Sequence, residues 1–278
     1  VWGSIFWPIG VAYFIIAFDV YWLLLVIYLG INLFVAYLSM KRNIKIDWRD
    51  QCEKLPPSQT NNLKWSDLIH LVIFPTYNEN LEVIRPSFKA LIQDGYPTGK
   101  MIMVLAIEER AGEPAKARAR IIEREFADKF KHFLITVHPD SIAGEIKGKG
   151  ANQAWAARQV KREIIDKFNY DYDKILISVF DMDTVVAPGY FYCLTHKFLT
   201  VKDPYLASYQ PIPTYHNNIW QAPFFARVAA ASNTFWQMMQ QIRQEKLATY
   251  SSHSMTWRAL AEIDFWSTNM VSEDSRVF

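Results

Sequence analysis

Cysteine is almost missing from this chain: 278 residues carry two, Cys52 and Cys193, far apart and in unlike surroundings. Such a pair builds neither a disulfide framework nor a zinc site. An excess of one charge is missing too. Against 28 acidic residues stand 30 basic ones, a net charge of +2, so the chain lacks the signature of nucleic-acid binding. The 10 glycines include neither a P-loop nor a GxGxxG spacing. From Ile5 to Ser39 charge itself is scarce, with Asp19 the sole charged residue.

What fills that stretch is apolar. Hydrophobic residues make up 51% of the chain and aromatic residues 15%, rich for a wholly soluble protein. The run from Ile5 to Ser39 exceeds one crossing of a bilayer core. Pro8, Asp19 and Gly30 punctuate it, and it reads as two hydrophobic passes, about Trp2 to Phe18 and Tyr21 to Leu38, with Trp22, Tyr28 and Tyr37 as interfacial anchors. A buried core hairpin is the plainer alternative; a signal peptide fits poorly, for want of a basic leader. Lys41, Arg42, Lys45 and Arg49 follow at once. By the positive-inside rule they keep the downstream domain in the cytosol. The expected division is a membrane segment at 1–42, a polar linker at 43–66 with Pro56-Pro57 and Asn61-Asn62, and a cytosolic domain at 67–278. The chain opens at Val1 and stops at Phe278 inside a motif, which reads as a fragment of a longer protein.

In the third segment, short apolar runs alternate with helical patterns. Strands are expected at Leu68 to Phe74, Met101 to Ile107, His132 to His138 and Lys174 to Phe180, and a further one at Tyr205 to Gln210. Helices are expected from about Asn80 to Ile92 and Glu113 to Phe130, and another that the stretch Ile146 to Asn152 opens and that runs to about Phe168. Pro75 is read as the stop of the first strand. Alternation at short intervals argues for an α/β fold with a mostly parallel sheet. Residues 223–244, with Phe224, Phe225, Val228, Phe235, Trp236 and Met239, suit a core helix, a membrane-surface helix or a groove wall. His70, His138 and His253 lack ligand spacing and are read as structural.

Polar clusters follow three of the strands: Thr76 to Glu79, Glu108-Glu109, and Asp181-Met182-Asp183. In a parallel sheet the carboxyl ends share one edge, so these clusters converge on one crevice. Asp181 and Asp183, two apart on an extended chain, point the same way and repel unless a cation lies between them. Mg²⁺ or Mn²⁺, which prefer oxygen ligands, resolve that repulsion; a solvated turn bearing two acids is the alternative. The loop Lys147-Gly148-Lys149-Gly150, just before a helix, suits phosphate oxygens.

Pro75-Thr76-Tyr77-Asn78-Glu79, Asp181-Met182-Asp183, Gln210-Pro211 and Glu273-Asp274 stand in the order seen in family 2 glycosyltransferases. The chain resembles their membrane-embedded, cellulose-synthase-like branch from about Leu68 onward. The resemblance implies a GT-A-like, Rossmann-type sheet with flanking helices, preceded by transmembrane helices. It implies a nucleotide-sugar donor (a UDP-sugar favoured), a glycan or lipid acceptor, and inverting transfer. Thr76, Tyr77 and Glu79 would line the nucleotide pocket. Glu108 or Glu109 would read the base or ribose. Lys147 and Asn152 match a Lys-x4-Asn pattern near the donor. Asp181 and Asp183 would hold the diphosphate through the metal. Asp274 would be the general base. Two departures stand out: Glu108-Glu109-Arg110 replaces the usual Asp-rich turn, and the Gln-x-x-Arg-Trp motif of processive members would lie beyond Phe278.

Two other readings compete. Phe180-Asp181-Met182-Asp183-Thr184 also fits a haloacid-dehalogenase phosphatase, with Asp181 as nucleophile, though that motif normally opens its domain. A membrane-tethered module that binds nucleotide sugar without turnover is the non-enzymatic reading.

Overall fold

A computed structural model describes residues 2–60, 63–215, 217, 219–242 and 251–269. The chain divides into two compact units, one of Val1–Ile46 with Ile212–Leu247, the other of Asp47–Pro211 with Ala248–Phe278.

The second unit is built on a six-stranded sheet. The strands are β1 (Ile69–Thr76), β2 (Met101–Glu108), β3 (His132–His138), β4 (Ile175–Val179), β5 (Ser208–Tyr209) and β6 (His253–Thr256), in the order β3-β2-β1-β4-β6-β5. The first four run parallel; β6 lies antiparallel between β4 and β5. Crossover helices join the parallel strands: α4 (Leu81–Gln93), α5 (Gly112–Phe126) and α6 (Lys149–Val160), while α7 (Tyr190–Thr200) follows β4 and α9 (Trp257–Glu262) follows β6. This is the expected α/β fold with a mostly parallel sheet.

The strands read as continuous apolar runs because both sheet faces are covered. Along β1, Val72 and Phe74 join one core while Leu71 and Ile73 join the other, the period of two that a pleated strand imposes. On the first face Phe88 meets Phe74 and Phe126, each with ring centroids 5.3 Å away. Such pairs add about 0.5–1.5 kcal/mol each beyond their area burial. On the second face α6 presents Ala154, Ala156 and Ala157, all buried. Side chains this small allow the start of α6 to lie close to the strand ends.

His70, in the middle of β1, is fully buried. Its Nε2 lies 2.9 Å from Thr195 Oγ1, between the rings of Tyr96 and Phe191. Burial pushes the imidazole down to about 3. Below pH 6.5 the unfolded chain therefore takes up a proton that the folded chain refuses until about pH 3. This part of the stability is complete above pH 6.5 and falls as the pH is lowered toward 3. Between pH 7.5 and 5 the loss from His70 is expected to be about 2 kcal/mol. Denaturant melts of the parent and of His70→Asn at both pH values check it: the variant should lose less stability on acidification, and an equal loss would refute the assignment.

Several expectations are corrected. Pro75 does not stop β1; it lies within the strand opposite Ala106. It is tolerated because the β4 ladder ends at Ile73, leaving that side of the strand unpaired. The expected linker is partly folded: α3 (Trp48–Lys54) is capped by the Asp47 side chain and packs on α7, with Cys52 Sγ donating to Tyr192 O at 3.3 Å. Trp48, Cys52 and Leu55 give it an apolar face that its polar neighbours mask in sequence. The strand expected at Tyr205 to Gln210 shrinks to Ser208–Tyr209. Asn80 occupies the cap position of α4 without a side-chain cap bond.

In the first unit, a short helix α1 (Trp2–Phe6) precedes α2 (Pro8–Asn43), and α8 (Phe224–Gln240) packs against α2. Two passes were expected before Lys41; one continuous helix of 36 residues is found. Pro8 stands at its start, where proline is accommodated, and neither Asp19 nor Gly30 alone breaks a helix. At 1.5 Å per residue α2 is about 54 Å long, and it is long and apolar enough to cross a membrane.

Candidate active site

Because β1 to β4 run parallel, their carboxyl ends share one edge, and each delivers polar side chains there. After β1, the Glu79 carboxylate accepts from Thr76 Oγ1 at 2.5 Å and from the Tyr77 amide at 2.7 Å. Glu79 thus ties its own turn and holds Tyr77 out toward solvent. Arg110 stands over the Tyr77 ring, 4.9 Å from its centre.

β2 ends in Glu108, which is buried and ion-paired to Arg110 Nε at 2.5 Å. Glu109 turns the other way, accepting from the Asp140 amide at 2.9 Å. Of the two acids that sequence left undistinguished, Glu108 faces the cleft. Beyond β3, His138 Nε2 lies 2.9 Å from Glu145 Oε2, and Lys147 pairs with Asp140 at 2.5 Å. Glu108, Arg110, His138, Asp140, Glu145 and Lys147 line one small cleft at this edge. It mixes donors and acceptors, as a nucleobase edge requires.

β4 delivers the paired aspartates. Between them Met182 is buried, and its carbonyl accepts from Ser87 Oγ at 2.7 Å. The Thr184 amide closes the turn onto Asp181 O at 2.9 Å. With the middle residue held in the core, Asp181 and Asp183 are left on the outer side, Asp183 exposed and Asp181 half-buried. Lys149, the first residue of α6, reaches Asp181 Oδ1 at 2.8 Å and Ser251 Oγ at 2.7 Å. Asn152, one turn further on, is buried; its Nδ2 donates to Ala106 O at 2.9 Å and fastens α6 to β2.

The antiparallel β6 and the two serines just before it supply a wall that sequence reading missed. Ser251 meets Lys149, Ser252 Oγ lies 3.1 Å from Thr184 Oγ1, and Ser254 Oγ lies 2.7 Å from Ser178 Oγ. Gln210 Nε2 donates to Ser251 O at 3.4 Å, so the Gln210-Pro211 motif joins the same edge. Glu273 and Asp274 lie outside the described residues.

The fold has known counterparts. A mannosyltransferase from Pyrobaculum calidifontis, solved in complex with GDP-Man and Mn²⁺, superposes with a TM-score of 0.51 at 16% identity over 90% of this chain. The fold is that of a GT-A-like glycosyltransferase. This chain spans 61% of that protein's length. S. aureus TarS 1–349 matches more loosely, with a TM-score of 0.41 at 10% identity over 75% of this chain and 53% of its own. No family model matches the sequence, and no curated protein does either.

Within this glycosyltransferase-type sheet, the predicted residues Thr76, Tyr77, Glu79, Glu108, Asp181 and Asp183 come to one edge. Lys147 is turned to Asp140, and it is Lys149 that stands beside the aspartates. Among the described residues no three His, Cys, Asp or Glu side chains converge as a metal cage. Asp181 and Asp183 offer two carboxylates. That donor set fits Mg²⁺ or Mn²⁺, which take one or two protein carboxylates and complete their shell with substrate phosphates and water.

Proposed function

We propose that the chain is an inverting glycosyltransferase that moves a sugar from a nucleotide-sugar donor to a hydroxyl of a glycan or lipid acceptor. The observation that carries this reading is the convergence of Asp181, Asp183 and Lys149 with the Tyr77–Arg110–Glu108 cluster on one edge of a GT-A-like sheet. The cluster suits the nucleoside: Tyr77 and the Arg110 plane offer a stacking surface, and Glu108 can accept an N–H from the base. A UDP-sugar is the donor favoured by the family resemblance, and the GDP-Man bound by the Pyrobaculum neighbour makes a guanine nucleotide its first rival.

Asp181 and Asp183 would hold the divalent cation. When bound, that cation neutralises the charge that builds on the leaving diphosphate. Lys149 lies at the first turn of α6, where backbone amides also favour anions, and is placed to take a diphosphate oxygen. Asp274 receives the proton of the acceptor hydroxyl as its oxygen bonds to the anomeric carbon. The bond to the diphosphate breaks in the same step, its electron pair leaving with the nucleotide. One displacement inverts the anomeric centre, and an α-linked donor yields a β-linkage.

α2 is the membrane anchor in this reading, with the catalytic unit cytosolic beside Lys41, Arg42 and Lys45. A single helix carries Trp2 across the bilayer instead of returning it. Asp19 lies about 33 Å from Lys41 along the helix, so it reaches the opposite interface together with Tyr21 and Trp22.

A calorimetric panel of UDP-, GDP- and ADP-sugars, with Mn²⁺, Mg²⁺ or chelator, tests the reading on detergent-solubilised protein. One nucleotide class should bind, and only with metal. No binding by folded protein would refute it. Lys149→Ala should weaken that binding by about 10–100-fold, the worth of one charge-assisted hydrogen bond. The same substitution frees Asp181 from its resident cation. Mn²⁺ affinity without nucleotide, read by electron paramagnetic resonance, should therefore rise, and unchanged values of both would remove Lys149 from the site.

A further inference from the structure

Helix α4 buries one stripe, Ile84, Ser87, Phe88, Ala90 and Leu91, and Ser87 is its single polar member. These positions follow the helical spacing of a core face, where a hydroxyl adds nothing to apolar packing. A serine inside a helix commonly turns its hydroxyl to a carbonyl of its own preceding turn. Ser87 does not. It is fully buried and donates to the Met182 carbonyl, 2.7 Å away and 95 residues further along the chain. β4 ends at Val179, so that carbonyl has left the sheet ladder and, being buried, needs a donor from elsewhere.

The carbonyl it takes belongs to the softest peptide of this loop. The Thr184 amide bonds to Asp181 O, so residues 181–184 form a turn with Met182 and Asp183 at its centre. Turns of types I and II share their ends and differ by a rotation of the central peptide, here the one joining Met182 to Asp183. Type II needs a positive φ at the second central residue, and Asp183 keeps a negative one. Ser87 grips the oxygen of that peptide and holds it against the flip. The Asp183 Cα is bonded to the nitrogen of the same peptide, so the direction of its carboxylate follows. The far end of the loop is tied to the same helix. Asp94, which caps the C-terminus of α4, accepts from the Gly189 amide on its carbonyl at 2.9 Å and from the Phe191 amide on its buried carboxylate at 3.4 Å. Residues 182–189 thus hang on α4 at both ends.

We propose that Ser87 is a positioning residue for the carboxylate pair: its hydroxyl locks the central peptide of the 181–184 turn and so holds Asp183 beside Asp181, on the outer side, for one divalent cation. The inference rests on the proposed metal role of Asp181 and Asp183. Groups that hold a metal's ligands in place without touching the metal commonly govern its affinity by about 10–100-fold. Ser87 acts in that way from inside the core, through one backbone carbonyl.

Two measurements on the detergent-solubilised full chain test this, made on the parent, Ser87→Ala, Ser87→Thr and Ala90→Gly. The last loosens the same helix and leaves the hydroxyl in place. Mn²⁺ affinity, read by electron paramagnetic resonance, should fall about 10-fold in Ser87→Ala and stay within about twofold of the parent in Ser87→Thr and Ala90→Gly. Amide exchange across residues 181–184, read by mass spectrometry, should quicken about fivefold or more in Ser87→Ala alone. Unchanged Mn²⁺ affinity in Ser87→Ala would overturn the proposal. So would equal losses in Ser87→Ala and Ala90→Gly, which would reduce Ser87 to a prop of its own helix. A Ser87→Thr variant as weak as Ser87→Ala, or exchange that does not quicken, would take the lock away from the hydroxyl and overturn it too. Failure of the underlying reading looks different: Mn²⁺ that the parent does not bind, or that Asp183→Asn binds undiminished, removes the metal from this turn and the proposal with it.

Discussion

Asp274→Asn should lower turnover by about 10²–10⁴-fold and leave donor affinity unchanged. The substitution keeps the size and shape of the side chain and removes its basicity. In a single displacement the acceptor hydroxyl must lose its proton as it attacks, and an amide cannot take that proton. In the proposed reading the donor is held by Asp181, Asp183, Lys149 and the Tyr77–Arg110–Glu108 cluster, all of which the substitution leaves in place. Nucleotide-sugar affinity by calorimetry and transfer by the full-length protein are the two readings. Intact transfer would displace Asp274 as the base, and lost donor binding would move it into the donor site.

Asp183→Asn should weaken metal-dependent donor binding by about 100-fold, until affinity with Mn²⁺ matches affinity in chelator. Asp183 is the more exposed of the two aspartates. An amide at 183 retains an oxygen but loses the charge that a hard cation requires. A pair of carboxylates that supplies only part of the shell has no third protein ligand to compensate, among the described residues. Retained dependence on Mn²⁺ in Asp183→Asn would place the metal elsewhere.

Much of the frame follows from local patterning. The runs Val72 to Phe74 and Met103 to Ile107 are apolar at every position, and Ile175 to Val179 at all but Ser178, because their sheet is covered on both faces, and such runs are visible without coordinates. Turn residues bound them, and β3 begins and ends where its sequence pattern does. Once strands alternate with helices, a parallel sheet and a shared edge follow. The acids at the strand ends were therefore assignable to one crevice from sequence.

The partners of those acids were not. Lys147 and Lys149 are two residues apart in a glycine-bearing loop, and their composition is the same. Only the path of the loop after β3 sends the first to Asp140 and the second to Asp181. β6 is four residues long and rich in small hydroxyls. Its extended form comes from pairing with β4 rather than from its own propensity, so it left no signal. Burial separated Glu108 from Glu109, and burial depends on how the sheet is covered.

The N-terminal unit divides in the same way. Sequence determined that α2 is apolar and that residues 223–244 carry an apolar and a polar side. It could not tell whether Asp19 broke the helix, because one charge costs a helix little and its consequence depends on the surroundings. Nor could it tell which side of α8 faces out. Hydrophobic periodicity records only that a helix has two faces; which one is turned to the protein is decided by the hydrogen bonds of Asn233 and Thr234 and by the burial of Gln237 and Met238, and those exist only in the folded chain.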